Sequence, residues 1–216
     1  MSTRVLLADD HQIVLEGLGG LLRVQDGWEL VGTATSGREA VELARRTRPD
    51  VVVMDVTMPD LDGVTATRAI LSARRATRVL ALSMHCSGEI ALRMFRAGAR
   101  GYVVKSNSIE DILVGIRAVV DGRRYVSPLL AGELPLERLE ELLQQESPAD
   151  ALSRREREVL CLVAQGMSTK QIAAELHVAK RTIDWHRRNI MDRVNIRTVA
   201  ELTKFAIREG LTTLQA

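Results

Sequence analysis

A chain of 216 residues with 46% hydrophobic and 27% charged side chains can build ordinary cores, which excludes a disordered or fibrous protein and leaves room for two domains. The formal net charge of +2 is unevenly spread: residues 126–150 hold six Asp/Glu and one Arg, whereas residues 151–216 hold twelve Lys/Arg and seven Asp/Glu, which points the second half towards nucleic acid. Cys86 and Cys161 stand apart from each other and from any Cys/His cluster, no apolar run nears the ~18 residues of a membrane span, and two aspartates break the start, so the expectation is a soluble cytoplasmic protein without disulfides or zinc.

From the amino terminus, short Val/Leu-rich runs at residues 4–8, 29–34, 51–54, 78–82 and 101–104 alternate with longer amphipathic stretches. Nearly unbroken apolar runs suit strands buried on both faces of a parallel sheet, and the stretches between them carry apolar residues at helical spacing. Ser36…Glu39 and Ser108…Asp111 mark helix starts. Residues 1–122 are therefore predicted to form a flavodoxin-like α/β domain, a five-stranded parallel doubly wound sheet. Residues 123–150 read as an acidic linker with one helix over 134–146, ended by Ser147-Pro148. Residues 151–216 show only helical patterns, over 153–165, 168–176, 180–194 and 198–210, and predict a small all-α domain. Capping boxes open three of these helices, at Ser153…Glu156, Ser168…Gln171 and Thr198…Glu201.

Asp9 and Asp10 fall at the carboxyl end of the first strand and Asp55 at that of the third. In an open α/β sheet, ligands bind at those ends where the winding reverses, so the three carboxylates should share one crevice. Such crowding of negative charge calls for a cation, and an all-oxygen site suits Mg²⁺. Ser83 and Lys105, at the tips of strands four and five, add a hydroxyl and an ammonium.

These residues carry a resemblance. Asp9-Asp10, the run Asp55-Val-Thr-Met-Pro59-Asp-Leu-Asp-Gly63, Ser83 and Gly101-Tyr-Val-Val-Lys105 resemble the receiver domain of two-component systems. The resemblance implies phosphorylation of Asp55 by a sensor histidine kinase, with Mg²⁺ held by Asp10, Asp55 and the Thr57 carbonyl and with Asp9 acting through the metal's water shell. It implies that Lys105 and Ser83 meet the phosphoryl oxygens and that Tyr102 switches with them, against the plainer reading of Tyr102 as a half-buried packing residue with a wet hydroxyl. Beyond accepting phosphate and losing it slowly, no enzyme activity is implied. Ser106 replaces the proline common after the lysine, so no cis bond is expected there. His85 is read as a surface histidine, although it is the one ring there that could steer a water.

In the second half, Ser168–Leu176, then His177-Val-Ala, then a long helix is a helix-turn-helix pattern. Ile183, Ile190 and Val194 fix the buried face of the long helix, while Asp184, Trp185 and Arg188 fall on the other. His186, close to the buried stripe, reads as a packed or capping histidine. The runs Ser153-Arg-Arg-Glu-Arg-Glu-Val-Leu160, Gly166-Met-Ser-Thr-Lys-Gln-Ile-Ala173 and Thr182-Ile-Asp-Trp-His186 resemble the LuxR-type output domain, and the whole chain resembles a NarL/FixJ-type response regulator. That resemblance implies Lys170, Thr182 and Arg187 near DNA phosphates, with Asp184, Trp185 and Arg188 facing base edges. Asp184 stands where relatives carry Lys, and either reads a cytosine amino group or ties down an arginine. Ala179 leaves the long helix without the usual capping side chain. Val199, Leu202 and Ala206 form one stripe on the last helix, offered as the contact of a homodimer on an inverted repeat; the other reading is that the stripe closes the domain's own core.

Two other functions fit these residues less well. A receiver serving only for dimerisation, independent of phosphate, sits poorly with the intact set of Asp9, Asp10, Asp55, Ser83 and Lys105. A flavodoxin-like redox enzyme needs a phosphate-cradling Gly/Ser/Thr loop after the first strand, where Asp9-Asp10-His11-Gln12 would instead repel a phosphate that lacks a metal.

Overall fold

A computed structural model describes residues 2–145, 148–149, 151–209 and 211, and the chain divides into two compact units that meet in sequence between Leu143 and Gln144. The first unit runs β1 (Thr3–Ala8), α1 (Gln12–Arg23), β2 (Trp28–Ala34), α2 (Gly37–Thr47), β3 (Val51–Asp55), α3 (Gly63–Ala73), β4 (Arg78–Ser83), α4 (Gly88–Arg96), β5 (Gly101–Val104), α5 (Ile109–Val120), β6 (Tyr125–Val126), α6 (Pro128–Ala131) and α7 (Leu136–Gln144). The sheet is parallel throughout, in the order β2-β1-β3-β4-β5-β6.

Side chains alternate across a strand, and here both alternate sets are apolar. Val5, Leu7, Val51, Val53, Leu80, Leu82 and Val103 point to the face covered by Leu15, Leu18 and Leu22 of α1 and Ile112, Ile116 and Val119 of α5. Leu6, Val52, Met54, Ala81, Tyr102 and Val104 point to the face covered by α2, α3 and α4. Ser36, Asp62, Ser87 and Ser108 each accept a hydrogen bond from a backbone N–H in the first turn of the helix they precede.

The sheet has six strands where the sequence predicts five. β6 is two residues long, too short to show any alternation, and is held by its backbone: the Tyr125 N–H donates to the Arg100 carbonyl and that of Ser127 to Tyr102. The sequence predicts a linker for the stretch that follows, yet Leu130, Leu134 and Leu139 are buried in the receiver-side core. Its acidic outer face hides this apolar stripe from a reading by composition. The helix expected from residue 134 begins at Leu136, past Pro135; its expected end at Glu146, and Ser147 after it, lie outside the described residues.

The second unit contains α8 (Arg154–Ala164), α9 (Thr169–Glu175), α10 (Lys180–Arg193) and α11 (Val199–Arg208) around Val159, Leu160, Val163, Ile172, Ile183, Ile190 and Phe205. All three expected capping boxes form; α10 starts at Ala179 with no side-chain cap. The stripe expected on α11 as a dimer contact turns two of its three residues inward. Leu202 and Ala206 are fully buried in the domain's own core, packed with Phe205, and only Val199 is exposed. A helix needs one face to close a four-helix core, and these two side chains are that face. The end expected at Gly210 lies outside the described residues.

Glu156 joins two ends of this core. Its carboxylate accepts from the Ser153 N–H at 2.8 Å and from Arg193 Nη1 at 3.2 Å, while Arg193 also donates to the Ala151 carbonyl. Burial pushes the Glu156 carboxyl up, but the Ser153 hydrogen bonds and the Arg193 charge outweigh it and hold it below its ordinary value. A depressed carboxyl stabilises the fold above its unfolded pKa and loses that contribution as pH falls through the folded value. Glu156→Gln is therefore expected to cost about 1–3 kcal/mol at pH 7, with the gap to wild type closing below about pH 4.5; thermal unfolding across pH checks this, and a gap independent of pH contradicts it.

Candidate functional site

β1 and β3 are neighbours, with Ala8 opposite Met54, so the residues that end them emerge side by side. Asp9 and Asp55 are almost wholly buried there, while Asp10 is exposed. Lys105 follows β5, and its backbone N–H is fixed to the Ser83 carbonyl at the tip of β4. From that position its Nζ reaches 2.6 Å from Asp9 Oδ2 and 2.8 Å from Asp55 Oδ2. Three carboxylates and His11 lie with ligand atoms within 4.8 Å of one another. Burial, reinforced by the Asp9 charge, pushes the Asp55 carboxyl up against the pull of Lys105 and the Thr57 N–H. Burial would lower Lys105, but its hydrogen bonds to Asp55 and Asp9 win and raise it.

His11 is a member of this cluster that the sequence reading left out. Its Nδ1 stands 2.8 Å from Asp10 Oδ1 and 3.2 Å from Asp9 Oδ1, and its backbone N–H donates to Asp9. Its place directly after Asp9-Asp10, at the start of α1, is the signal that could have found it. Gly63 has a steric reason to be glycine: a Cβ there would lie 2.1 Å from the Asp55 carbonyl oxygen. Exposed Thr57 gives its N–H to Asp55 Oδ1 at 3.2 Å.

Ser83, also buried, accepts the His85 N–H at 3.1 Å, and Tyr102 donates its hydroxyl to the His85 carbonyl at 2.8 Å. The phenol is completely buried rather than half-wet, and burial pushes it up to about 12. The backbone of His85 thus links Ser83 to Tyr102, while the residue itself is exposed, in keeping with the surface reading of its ring.

In the second unit, α9 and α10 form the helix-turn-helix, with His177 in the left-handed region at the turn. Lys170, Asp184, Trp185 and Arg188 are exposed and Thr182 is half-buried. Arg187 is tied to α9, donating to Thr169 Oγ1 at 2.8 Å, so it braces the two helices in this structure. Among the described residues Asp184 makes no ion pair; it lines an open groove with Arg187, Arg188, Asn195 and Arg197. His186 packs edge-on against Trp185, and its Nδ1 is buried without a hydrogen-bond partner among the described residues.

Residues 5–117 match the family described as "Response regulator receiver domain", and residues 150–206 match "Bacterial regulatory proteins, luxR family". The chain belongs to the two-component response regulators with a LuxR-type DNA-binding domain. This regulator is 34% identical over 208 residues to the response regulator GacA of Pseudomonas aeruginosa, covering 96% of this chain and 97% of that one. It is 33% identical over 207 residues to the response regulator UvrY of Escherichia coli K12, covering 96% and 94%. A crystal structure of a LuxR-family two-component response regulator from Aurantimonas sp. SI85-9A1, 42% identical, superposes with a TM-score of 0.60 over 64% of this chain and 99% of that one. No described helix of the regulator is long and apolar enough to cross a membrane.

Tyr102→Phe keeps the packing of the regulator's receiver but removes the hydroxyl that holds the His85 carbonyl. The variant is expected to lose about 1 kcal/mol of stability, read as a lower melting temperature of the receiver; an unchanged value would mean that water replaces the phenol at no cost.

Proposed function

We propose that the regulator accepts a phosphoryl group on Asp55 from a sensor histidine kinase and, so switched, binds promoter DNA in the cytoplasm as a dimer. The observation that carries this reading is the buried Asp55 carboxylate, seated beside Asp9 under a single ammonium. In the transfer, the bond from phosphorus to the donor breaks and one from phosphorus to an Asp55 oxygen forms, so negative charge accumulates where two other carboxylates already stand. Lys105 offsets one charge only. The remaining oxygen donors of Asp9, Asp10 and Asp55, with the Thr57 carbonyl, suit Mg²⁺, whose charge would balance the incoming group. Ser83 then donates to the phosphoryl oxygen instead of accepting from His85, and Tyr102, bonded to the same His85 backbone, follows it. A receiver used for dimerisation alone has no use for a buried acidic cluster, whose desolvation is unfavourable.

Incubation with acetyl phosphate and Mg²⁺ should add one phosphoryl mass to the wild type and none to Asp55→Asn or to the metal-free protein. A phosphoryl group gained elsewhere, or without metal, would overturn the assignment.

In the output domain, Trp185 and Arg188 meet base edges and Lys170 a phosphate; Asp184, free of ion pairs among the described residues, is left to accept from a cytosine amino group. Thr182 and Arg187 lie beside the backbone, Arg187 exchanging Thr169 for a phosphate. With Leu202 and Ala206 committed to the core, the inverted-repeat dimer uses other residues than those two. Binding to a selected site and its single-base variants separates the roles. Arg188→Ala should cost about 1–3 kcal/mol, mostly at one base position, whereas Lys170→Ala should weaken every sequence alike and reduce the salt slope by about one. Uniform losses for Arg188→Ala would move it to the phosphate class.

A further inference from the structure

The carboxyl ends of the receiver strands carry the acidic cluster; the opposite rim is as strongly basic. The segments that lead into β3, β4, β5 and β6, residues 45–50, 73–78, 97–100 and 121–124, contain nine arginines and two aspartates, with no lysine or glutamate. The arginines occur as the runs Arg45-Arg-Thr-Arg48 and Arg74-Arg-Ala-Thr-Arg78, as Arg100, and as Arg123-Arg124. Because β3, β4, β5 and β6 are consecutive in the sheet, these four segments lie side by side. Backbone bonds stitch them together: the Arg78 N–H donates to the Asp50 carbonyl, that of Arg100 to Val79, and that of Tyr125 to Arg100.

Internal carboxylates leave most of this charge unpaired. Asp121 pairs with Arg123, Glu140 with Arg124, and Asp50 accepts the backbone N–H of Arg4. Arg74 donates instead to the carbonyls of Arg48 and Pro49, and Arg78 to that of Arg75. Among the described residues, Arg46, Arg75 and Arg100 have no carboxylate within 4.0 Å, and all three are exposed. Arginine beside helix carboxyl ends has an ordinary explanation in the macrodipole, and α2, α3, α4 and α5 all end on this rim. Each such end offers about half a negative charge, about two in all, and the surplus of arginine over aspartate is well beyond that. Between Arg75, Arg78 and Arg100 the rim opens into a cavity of about 200 Å³, floored by Thr77 and Gly98.

We propose that this arginine rim is a second nucleic-acid contact, a sequence-independent seat for the phosphate backbone on the receiver itself. Guanidinium forks bind phosphate oxygens in pairs, and strands ~4.8 Å apart set the rim's reach from β3 to β6 at about 14 Å. One DNA strand presents a phosphate about every 3.4 Å of helix axis, so the rim faces about four. The partner is nucleic acid rather than an acidic protein because the same chain carries a DNA-binding domain, which holds duplex at high effective concentration. The proposal goes beyond the base-reading role of α10 and does not depend on which residues of α10 read bases.

The test is anisotropy binding of the full chain to a duplex of arbitrary sequence across a salt series. Arg46→Gln/Arg75→Gln/Arg100→Gln is expected to lower the slope of log affinity against log salt by about two to three, and Arg75→Gln alone by about one, on every sequence alike. A matched melting temperature shows that the receiver remains folded. Lys170→Ala/Arg188→Ala should keep the rim's share of the slope. A wild-type slope in the rim variants overturns the proposal while leaving the helix-turn-helix reading intact. Loss of slope in the rim variants, with wild-type binding by Lys170→Ala/Arg188→Ala, upholds the rim and overturns the phosphate assignment of Lys170. If the rim variants lose binding to phosphatidylserine vesicles but not to duplex, the surface belongs to a membrane and the nucleic-acid proposal falls.

Discussion

The ammonium of Lys105 lies between the carboxylates of Asp9 and Asp55, and much of the receiver can be understood as what must be true for that to happen. Two buried carboxylates at the ends of neighbouring strands repel each other at low dielectric, and each also loses hydration. One cation within 3 Å of both makes the pair tolerable. For that cation to come from β5, two strands away from β3, the register across β1, β3, β4 and β5 has to be right to the residue. A slip by one in any of these strands would turn its polar tip into an apolar face. The pairings Ala8 with Met54, Asp55 with Leu82 and Ser83 with Val104 are that register, and Gly63 lets the next helix start against the Asp55 backbone without a collision. One ammonium still leaves three acidic side chains under-compensated, an imbalance that the proposed metal and phosphoryl chemistry would use.

Residues whose environment repeats along the chain were legible in the sequence. The strands β1 to β5 were visible because both faces of the sheet are covered, which makes Val51-Val-Val-Met54 a continuous apolar run. The helix starts at Ser153, Ser168 and Thr198 were visible because a capping box involves two residues at fixed spacing. The site carboxylates were legible for a related reason: an acid at the end of a buried strand has no packing role. What escaped depends on contacts between distant segments. β6 is defined by what Arg100 and Tyr102 offer across the sheet, and nothing in Tyr125-Val126 announces it. The stripe Val199, Leu202 and Ala206 has a spacing equally suited to an interface and to a core, and only the position of Phe205 beside it decides for the core.

The connector after β6 shows how a segment of unremarkable sequence acquires a place in the signalling half of the molecule. Ser127 is fully buried and accepts the Val104 N–H, one residue before Lys105. Two residues past it, the Leu129 carbonyl accepts from Cys86 Sγ; further on, the Glu133 carboxylate accepts the Gly88 N–H at 2.9 Å. Cys86 lies in the loop between β4 and α4 and Gly88 opens the helix at its end; the His85 backbone of that loop is held by Ser83 on one side and Tyr102 on the other. That loop therefore has two sets of restraints, one from the acidic site and one from the connector. Well-packed cores yield in discrete rearrangements rather than by continuous stretching. If Ser83 exchanges the His85 N–H for a phosphoryl oxygen, the loop loses one of its anchors on the site side while Leu129 and Glu133 still hold the other. The connector's Leu130, Leu134 and Leu139 sit in the same core as Tyr102. The chain that leads into the DNA-binding unit is thus bonded directly to the part of the receiver that the phosphate chemistry would disturb.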